Sequence, residues 1–157
     1  MDLILWRHAE AHVIREGQDD LERSLTTKGE RQAQRMAEWL NQRLAQSTRV
    51  LVSPAKRCQQ TARALDRPFK TLAELAPGAD VTAVLRAARW PGGSEPVLVV
   101  GHQPTLGFVA AQLLADSERL LQMKKGAAWW LRQREREGPE GKVKQVVLQA
   151  AMGPDFL

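Results

Sequence analysis

The sequence predicts an α/β protein: a three-layer α/β/α sandwich with a largely parallel central sheet and a C-terminal hairpin at the sheet edge. Three short apolar runs, at residues 3–6, 50–52 and 97–100, have the length and composition of buried strands. Segments with apolar residues at helical spacing follow these runs, and this alternation is typical of parallel strands joined by helices. With 157 residues, 43% of them hydrophobic, the chain is expected to form one domain spanning residues 1–157.

The first strand is followed by a loop and a helix. The strand runs directly into Arg7 and His8, and the polar stretch 15–24 predicts a surface loop. Thr27 and Glu30 have capping-box spacing, so a helix is expected to begin there. The apolar stripe of this helix comprises Ala33, Met36, Ala37, Leu40 and Leu44.

A second helix is expected after the strand at 50–52. Ser53 supplies an N-cap residue, and Pro54 follows at the first helical position. The apolar positions of this helix are Ala55, Cys58, Ala62 and Leu65. Residues 71–75 predict a further short strand, and residues 77–80 predict a turn.

Two more helices are expected in the middle of the chain. The third helix has its apolar stripe at Val81, Val84, Leu85 and Ala88. The strand at 97–100 then leads through Gly101 and His102 into a fourth helix. The buried positions of that helix are Leu106, Val109, Ala110 and Leu113.

The sequence pattern of the C-terminal region predicts the hairpin. Two β-like runs, 127–131 and 143–148, flank a charged segment, 132–142, which we interpret as the turn. Its basic residues are Arg132, Arg134, Arg136 and Lys142. Because acidic residues lie among them and no aromatic residues are interleaved, the pattern favours a solvated hairpin, and we expect no nucleic-acid partner. Residues 153–157 are expected to form a loose tail.

Charge and cysteine usage narrow the class of protein. The formal net charge of +5 favours anionic partners such as phosphate compounds or acidic protein surfaces. The single Cys58 excludes an internal disulfide and fits a reducing compartment. No apolar stretch has the length of a membrane span. We therefore expect a cytoplasmic monomer without a membrane partner.

The residues that carry chemistry gather at three strand-to-helix junctions: Arg7 with His8, the segment 53–57, and Gly101 with His102. In open α/β sheets, ligands bind beyond the carboxyl ends of the strands. If the three strands are parallel neighbours, two arginines and two histidines meet there. Such groups repel one another unless an anion lies between them, and phosphate fits because each guanidinium offers paired N–H donors to its oxygens.

Catalysis at such a pocket also requires a nucleophile, and the histidines are the candidates. A neutral imidazole nitrogen can attack phosphorus in line if its other nitrogen donates to a fixed acceptor such as a backbone carbonyl. His8 directly follows a buried strand and is therefore held stiffly enough for this role. His102 could donate a hydrogen bond to the transferring phosphoryl group.

These three junctions resemble, in order and spacing, the three signatures of the histidine phosphatase superfamily. The matching segments are Arg7-His8-Ala9-Glu10, residues 53–62, and Gly101-His102-Gln103-Pro104. The short chain and the Leu-Thr-Thr-Lys-Gly segment at 25–29 are most similar to the SixA-type phosphohistidine phosphatases. The resemblance covers residues 1 to about 115, and the C-terminal third matches only in pattern.

The resemblance implies a role for each matching residue. His8 would be the phosphorylated nucleophile, and Arg7, Arg57 and His102 would form the phosphate pocket with it. Arg23 lies where this subgroup often has an arginine near the pocket. Ala9 replaces the glycine that is usual in the wider superfamily, and a small residue suffices there if the backbone is not left-handed. No cofactor is implied.

A general acid is the open part of this assignment. Many superfamily members protonate an alkoxide leaving group with a carboxylic acid, and Glu74 is a possible match in position. The SixA-type group is thought to lack this acid, which is chemically reasonable because a leaving imidazole needs less help than an alkoxide. The implied substrate is phosphohistidine on a protein, such as a phosphotransfer domain of a two-component relay.

Two alternative functions stay open from the sequence, and a metal site is also considered. The chain could hydrolyse small phosphate esters with Glu74 as general acid, or it could bind phosphate without turning it over, as an adaptor. His8 and His12 have a spacing that suits metal ligation on a helix, but no third ligand follows at a suitable spacing, so no metal is expected. Cys58 lies on an apolar helix stripe and is interpreted as a packed thiol.

Overall fold

Helices and strands alternate along the chain as expected for an α/β protein. A computed structural model describes residues 1–157. Its strands are β1 (Asp2–Arg7), β2 (Arg49–Val52), β3 (Lys70–Thr71), β4 (Val97–Gly101), β5 (Ala128–Gly138) and β6 (Gly141–Met152). Its α-helices are α1 (Thr27–Asn41), α2 (Lys56–Arg63), α3 (Val81–Ala88) and α4 (Thr105–Ala115). Single 3₁₀ turns form at Asp20–Glu22, Ala73–Leu75 and Pro154–Phe156.

The six strands form one sheet in the order β3-β2-β4-β1-β5-β6. The first four are parallel, and β5 and β6 add an antiparallel hairpin at one edge. Arg7 at the end of β1 is in register with Gly101 at the end of β4, and Val52 of β2 is in register with Val100. The largely parallel sheet with an edge hairpin is thus confirmed. The three strand-to-helix junctions that carry the candidate site residues all lie at the carboxyl-terminal edge of the parallel strands.

Each face of the sheet is covered by a separate apolar core. Along β1, Ile4 and Trp6 face the core that also contains the buried side chains of α1 and α2. Leu3 and Leu5 point to the opposite face, where they join the apolar residues of α3 and α4. This period-two alternation buries β1 on both faces and fixes the strand that carries the functional residues. None of the helices combines the length and apolar character needed to cross a membrane.

Two helix caps differ from the sequence prediction. The helix α1 begins at Thr27, as predicted, but its N-cap is Thr26, whose Oγ1 accepts the Gly29 N–H at 3.0 Å. Ser53 is not the N-cap of α2, because this helix begins at Lys56 with Ala55 at the cap position. The Ser53 hydroxyl oxygen instead accepts the Ala55 N–H and lies within hydrogen-bond distance of His102 Nε2.

The hairpin is much longer than predicted. The charged segment 132–142 is not a turn, because β5 continues to Gly138 and β6 starts at Gly141. Exposed strands accommodate these charges by cross-strand pairing, in which Glu135 lies opposite Lys144 and Glu137 opposite Lys142.

Two shorter segments also differ from the prediction. Of residues 71–75, only Thr71 belongs to a strand, because the chain turns into the 3₁₀ segment that buries Leu75. Residues 153–157 are not a loose tail: they form the turn Pro154–Phe156, which packs against α1 and buries Pro154.

Gly29 allows α1 to pack directly on the chain that follows His8. A Cβ at this position would overlap the carbonyl oxygen of Glu10. The same oxygen accepts the Thr26 N–H at 3.0 Å. The first turn of α1 therefore supports the segment immediately after the candidate nucleophile.

Candidate active site

Main-chain hydrogen bonds on both sides hold His8 at the end of β1. Its N–H donates to the Gly101 carbonyl at 3.1 Å, and its own carbonyl accepts the Gly126 N–H at 3.0 Å. The preceding Arg7 N–H donates to the Ala127 carbonyl at 3.0 Å. His8 is thus fixed between β4 and the segment that leads into β5.

The His8 imidazole has a defined tautomer. Its Nδ1 lies 2.7 Å from the Ala9 carbonyl oxygen, and a carbonyl only accepts, so Nδ1 carries the hydrogen. In the neutral ring, the lone pair is therefore on Nε2. Burial lowers the pKa of His8 to about 3, although the hydrogen bond to Ala9 opposes this and the nearby cationic groups add to it. A ring with this pKa is neutral at physiological pH and has a lone pair on Nε2.

The guanidiniums of Arg7 and Arg57 are placed beside this ring by different elements. Arg57, in the first turn of α2, is 3% exposed and donates from Nη1 to the Asp20 carbonyl (2.8 Å) and from Nη2 to the Asp20 carboxylate (3.0 Å). Arg7 donates from Nη1 to the Met123 carbonyl at 2.7 Å. The Nε atoms of both arginines are buried without a protein acceptor. Such donors suit an anion.

His102 completes the cluster from the end of β4. Its ring centroid lies 5.4 Å from that of His8 at an interplanar angle of 58°. Its Nε2 is 2.7 Å from Ser53 Oγ, and its Nδ1 is 3.4 Å from Arg57 Nη2. Burial lowers the pKa of His102 to about 4, with the Arg57 charge acting in the same direction. Two neutral imidazoles and two guanidiniums thus converge from three distant parts of the sequence.

Arg23 and Glu74 lie differently with respect to this cluster. Arg23 donates from Nε to the Asp20 carboxylate at 2.9 Å and from Nη1 to the His12 carbonyl at 2.9 Å. It therefore shares Asp20 with Arg57 and borders the pocket. Glu74 is exposed in the 3₁₀ turn after β3 and makes no hydrogen bond or ion pair with a pocket residue. Its role as a general acid stays a prediction.

Three supporting residues were not predicted from the sequence. Asp20 lies in a polar loop with several other acids, and nothing in the sequence distinguishes it. Ser53 was predicted only as a helix cap. Thr61 accepts the Ala9 N–H at 3.1 Å and donates to the Arg57 carbonyl at 2.7 Å, so it ties two parts of the pocket together. Its position four residues after Arg57, one helical turn, was the available signal.

Comparison with known proteins agrees with this geometry. The family model of the histidine phosphatase superfamily (branch 1) matches residues 3–80. Phosphohistidine phosphatase SixA of Escherichia coli strain K12 is 34% identical over an alignment of 122 positions, and the alignment covers 72% of this chain and 74% of that protein. The chain belongs to the histidine phosphatase superfamily. The SixA homologue of Haemophilus influenzae is 30% identical, over 72% of this chain and 77% of its own.

The fold of this superfamily member is also that of a solved SixA structure. The protein histidine phosphatase SixA complexed with tungstate superposes with a TM-score of 0.78 and 27% identity, covering 99% of each chain. The coverage includes the C-terminal third, which the sequence motifs did not reach. The SixA-type assignment is thus confirmed in sequence and in fold.

Ala9 is a conservative departure within the superfamily. Its side chain is fully buried, and Ala9 is absent from the small set of non-glycine residues with positive φ, which are Asp66, Arg89 and Asp116. The backbone at this position therefore does not require glycine, and a methyl group fits.

The metal and thiol alternatives find no support in the local geometry of this superfamily member. Residues 8–10 are not helical, so His8 and His12 do not share a helix face, and His12 is exposed. The Cys58 Sγ lies 3.5 Å from His102 Nε2. Burial raises the pKa of this thiol to about 12, so it stays protonated and acts as a packed group.

We expect both pocket imidazoles to remain neutral from about pH 8 to about pH 5, because burial lowers the pKa of His8 to about 3 and that of His102 to about 4, below the reference value of about 6.5. Ring ¹⁵N chemical shifts of the labelled protein would measure this, with His12→Gln used to assign the exposed ring. A midpoint near pH 6.5 for His8 or His102 would contradict it. Because their folded pKa values are depressed, their contribution to stability is complete above about pH 6.5 and is lost as the pH falls towards those values.

Proposed function

We propose that this chain is a phosphohistidine phosphatase that carries the phosphoryl group transiently on His8. The observation that supports this most directly is the His8 imidazole, whose Nδ1 donates to the Ala9 carbonyl at 2.7 Å while its Nε2 is free. This arrangement fixes the lone pair among Arg7, Arg57 and His102. A protein that only bound phosphate would have no need of a neutral, oriented imidazole in that position.

The proposed reaction has two steps. In the first, His8 Nε2 attacks phosphorus, the P–N bond of the substrate breaks, and the leaving imidazole takes up a proton from solvent. In the second, water attacks phosphorus on phospho-His8, the P–Nε2 bond breaks, and inorganic phosphate leaves. The proton lost by the attacking water returns to solvent, and the lone pair on His8 Nε2 is restored. Positioning and charge stabilisation account for most of the catalysis of phosphoryl transfer.

The other pocket residues would stabilise charge on the transferring group. Arg7 and Arg57 supply the buried N–H donors that have no protein acceptor. Arg57 Nη2 can only donate, so its 3.4 Å contact with His102 Nδ1 leaves the lone pair on Nδ1 and the hydrogen on Nε2, which faces Ser53 Oγ. Beside a bound phosphoryl group, His102 would take up a proton from solvent at Nδ1 and donate it in a hydrogen bond to a phosphoryl oxygen. Arg23 would contact the outer side of the substrate.

Phosphohistidine on a protein is the substrate class that these features favour. Two curated relatives are named for phosphohistidine phosphatase activity or for likeness to it. Glu74 is exposed and forms no hydrogen bond or ion pair with a pocket residue, which suits a leaving group that needs no carboxylic acid. We therefore propose a phosphorylated protein, such as a phosphotransfer domain, as partner. The unpaired, buried Cys58 supports a cytoplasmic location.

Substrate preference tests this assignment. We expect faster hydrolysis of a phosphohistidine-bearing phosphotransfer domain than of an alkyl phosphate, because the pocket offers no acid for an alkoxide. Glu74→Gln is expected to leave the phosphohistidine rate unchanged. Phosphate release would be measured on both substrates with both proteins. Preference for the ester, with selective loss of that activity in Glu74→Gln, would instead support a small-molecule phosphomonoesterase.

A further inference from the structure

The carboxylate of Asp20 is the one acidic group that forms ion pairs with the arginines around His8. Its Oδ2 lies 3.0 Å from Arg57 Nη2, and its Oδ1 lies 2.9 Å from Arg23 Nε. Arg57 is almost fully buried, whereas the Asp20 side chain is 44% exposed. One carboxylate therefore spans two guanidiniums at the mouth of the pocket.

The loop does not depend on this carboxylate for its attachment. The main-chain carbonyl of Asp20 accepts Arg57 Nη1 at 2.8 Å. Asp19 caps the 3₁₀ turn by accepting the Leu21 N–H at 3.0 Å. Arg23 also holds the loop through the His12 carbonyl at 2.9 Å. Loss of the Asp20 charge would leave these three tethers in place.

The charge of Asp20 acts on the same donors that a phosphate would use. Burial raises the pKa of Asp20, but hydrogen bonds from Arg23 and Arg57 outweigh it and hold the pKa below its usual value. The group is therefore an anion at neutral pH. A bound phosphate would share Arg57 Nη2 with it or displace it, and in either case two negative charges would approach each other.

We infer that Asp20 is an internal counter-anion that sets the phosphate affinity of the pocket. This inference rests on the proposed function only in assuming that the pocket binds phosphate. In the free protein, Asp20 offsets the repulsion among Arg7, Arg23 and Arg57. When product phosphate is present, the carboxylate weakens its binding and favours release. Asp20 is thus an affinity-setting residue at the border of the pocket, distinct from the groups that would transfer phosphate.

The Asp20→Asn variant tests the inference because it keeps the shape and one acceptor oxygen but removes the charge. We expect it to bind inorganic phosphate about tenfold more tightly than the unaltered chain, a change of about 1.4 kcal/mol. Isothermal titration calorimetry would measure both dissociation constants. Asp20→Ala removes the acceptor as well and is expected to change affinity in the same direction. Asp19→Asn is the matched control in the same turn and should leave phosphate affinity unchanged.

Inhibition of turnover by product phosphate provides a second measurement. Substitution of a residue with a purely structural role would not be expected to change it. In Asp20→Asn, inhibition by product phosphate is expected at about tenfold lower concentration. Equal or weaker phosphate binding by Asp20→Asn, with the unaltered chain binding normally, would overturn the role of Asp20 alone. Failure of every variant and of the unaltered chain to bind phosphate would overturn both this inference and the proposed function.

Discussion

Replacing His8 by alanine is expected to lower turnover of a phosphohistidine substrate by at least about 10⁴-fold, because the attacking nitrogen is removed. No neighbouring group is free to replace it, because both ring nitrogens of His102 already face other groups, Nε2 at 2.7 Å from Ser53 Oγ and Nδ1 at 3.4 Å from Arg57 Nη2. The Cys58 thiol is protonated, since burial raises its pKa to about 12. The Ser53 hydroxyl is engaged with His102 and the Ala55 N–H. Phosphate release from a phosphorylated phosphotransfer domain would measure the loss.

Covalent trapping makes the same test independent of rate. After brief incubation with a radiolabelled phosphohistidine substrate, the unaltered chain should carry an acid-labile, base-stable phosphate that is absent in His8→Ala. His12→Ala is the control, because His12 is exposed and outside the cluster. Turnover close to that of the unaltered chain in a folded His8→Ala variant would refute the mechanism. Binding of substrate without any trapped phosphate in the unaltered chain would instead indicate an adaptor.

Arg57→Ala is expected to reduce kcat/KM by about 10³-fold, the range seen when a donor to a transferring phosphoryl group is removed. Arg57 contributes a buried Nε without a protein acceptor and two Nη groups beside His102 and Asp20. Arg57→Lys keeps the charge but loses the planar fork, so we expect a loss of about 10²-fold. Steady-state kinetics on the same phosphohistidine substrate would measure both values.

The control for this experiment is Arg63→Ala. Arg63 is the last residue of the same helix, is exposed, and forms neither a hydrogen bond nor an ion pair through its side chain. It should retain the activity of the unaltered chain. If Arg57→Ala, with an unchanged unfolding temperature, hydrolysed the substrate as fast as Arg63→Ala, the assignment of Arg57 to the phosphate pocket would be wrong.

The site residues that could be predicted from the sequence have one property in common. Each lies at or shortly after the end of a buried strand. The positions of His8 and His102 could be inferred because Arg7 and Gly101 end parallel neighbours at the same level. Arg57 was predicted from its place in the segment after the strand at 50–52. A local apolar pattern and a general rule about parallel sheets predicted that these residues meet, and the family resemblance supplied the role of each one.

The parts that could not be predicted depend on contacts between distant segments. Asp20 differs from the other acidic residues of its loop because its carboxylate accepts a hydrogen bond from the buried guanidinium of Arg57, 37 positions later in the chain. Ser53 has the composition of a helix cap, but its hydroxyl pairs with His102 instead. In the hairpin, charged residues indicate a turn when only neighbours in sequence are considered. Cross-strand pairs such as Glu135 with Lys144 make the same residues compatible with strands.

A phosphatase must align its nucleophile and must also recognise its substrate. The attachment of His8 to the sheet allows different segments of the chain to meet these two requirements. Its N–H and C=O bond to Gly101 and Gly126, so the backbone that carries the candidate nucleophile is fixed to the sheet. The segment around Asp20 is held by side-chain donors from Arg57 and Arg23. On the proposed mechanism, substitutions in that segment would change which phosphorylated surfaces are accepted and leave the position of the His8 backbone unchanged. Substrate recognition and bond breaking would then depend on separate segments of one small protein.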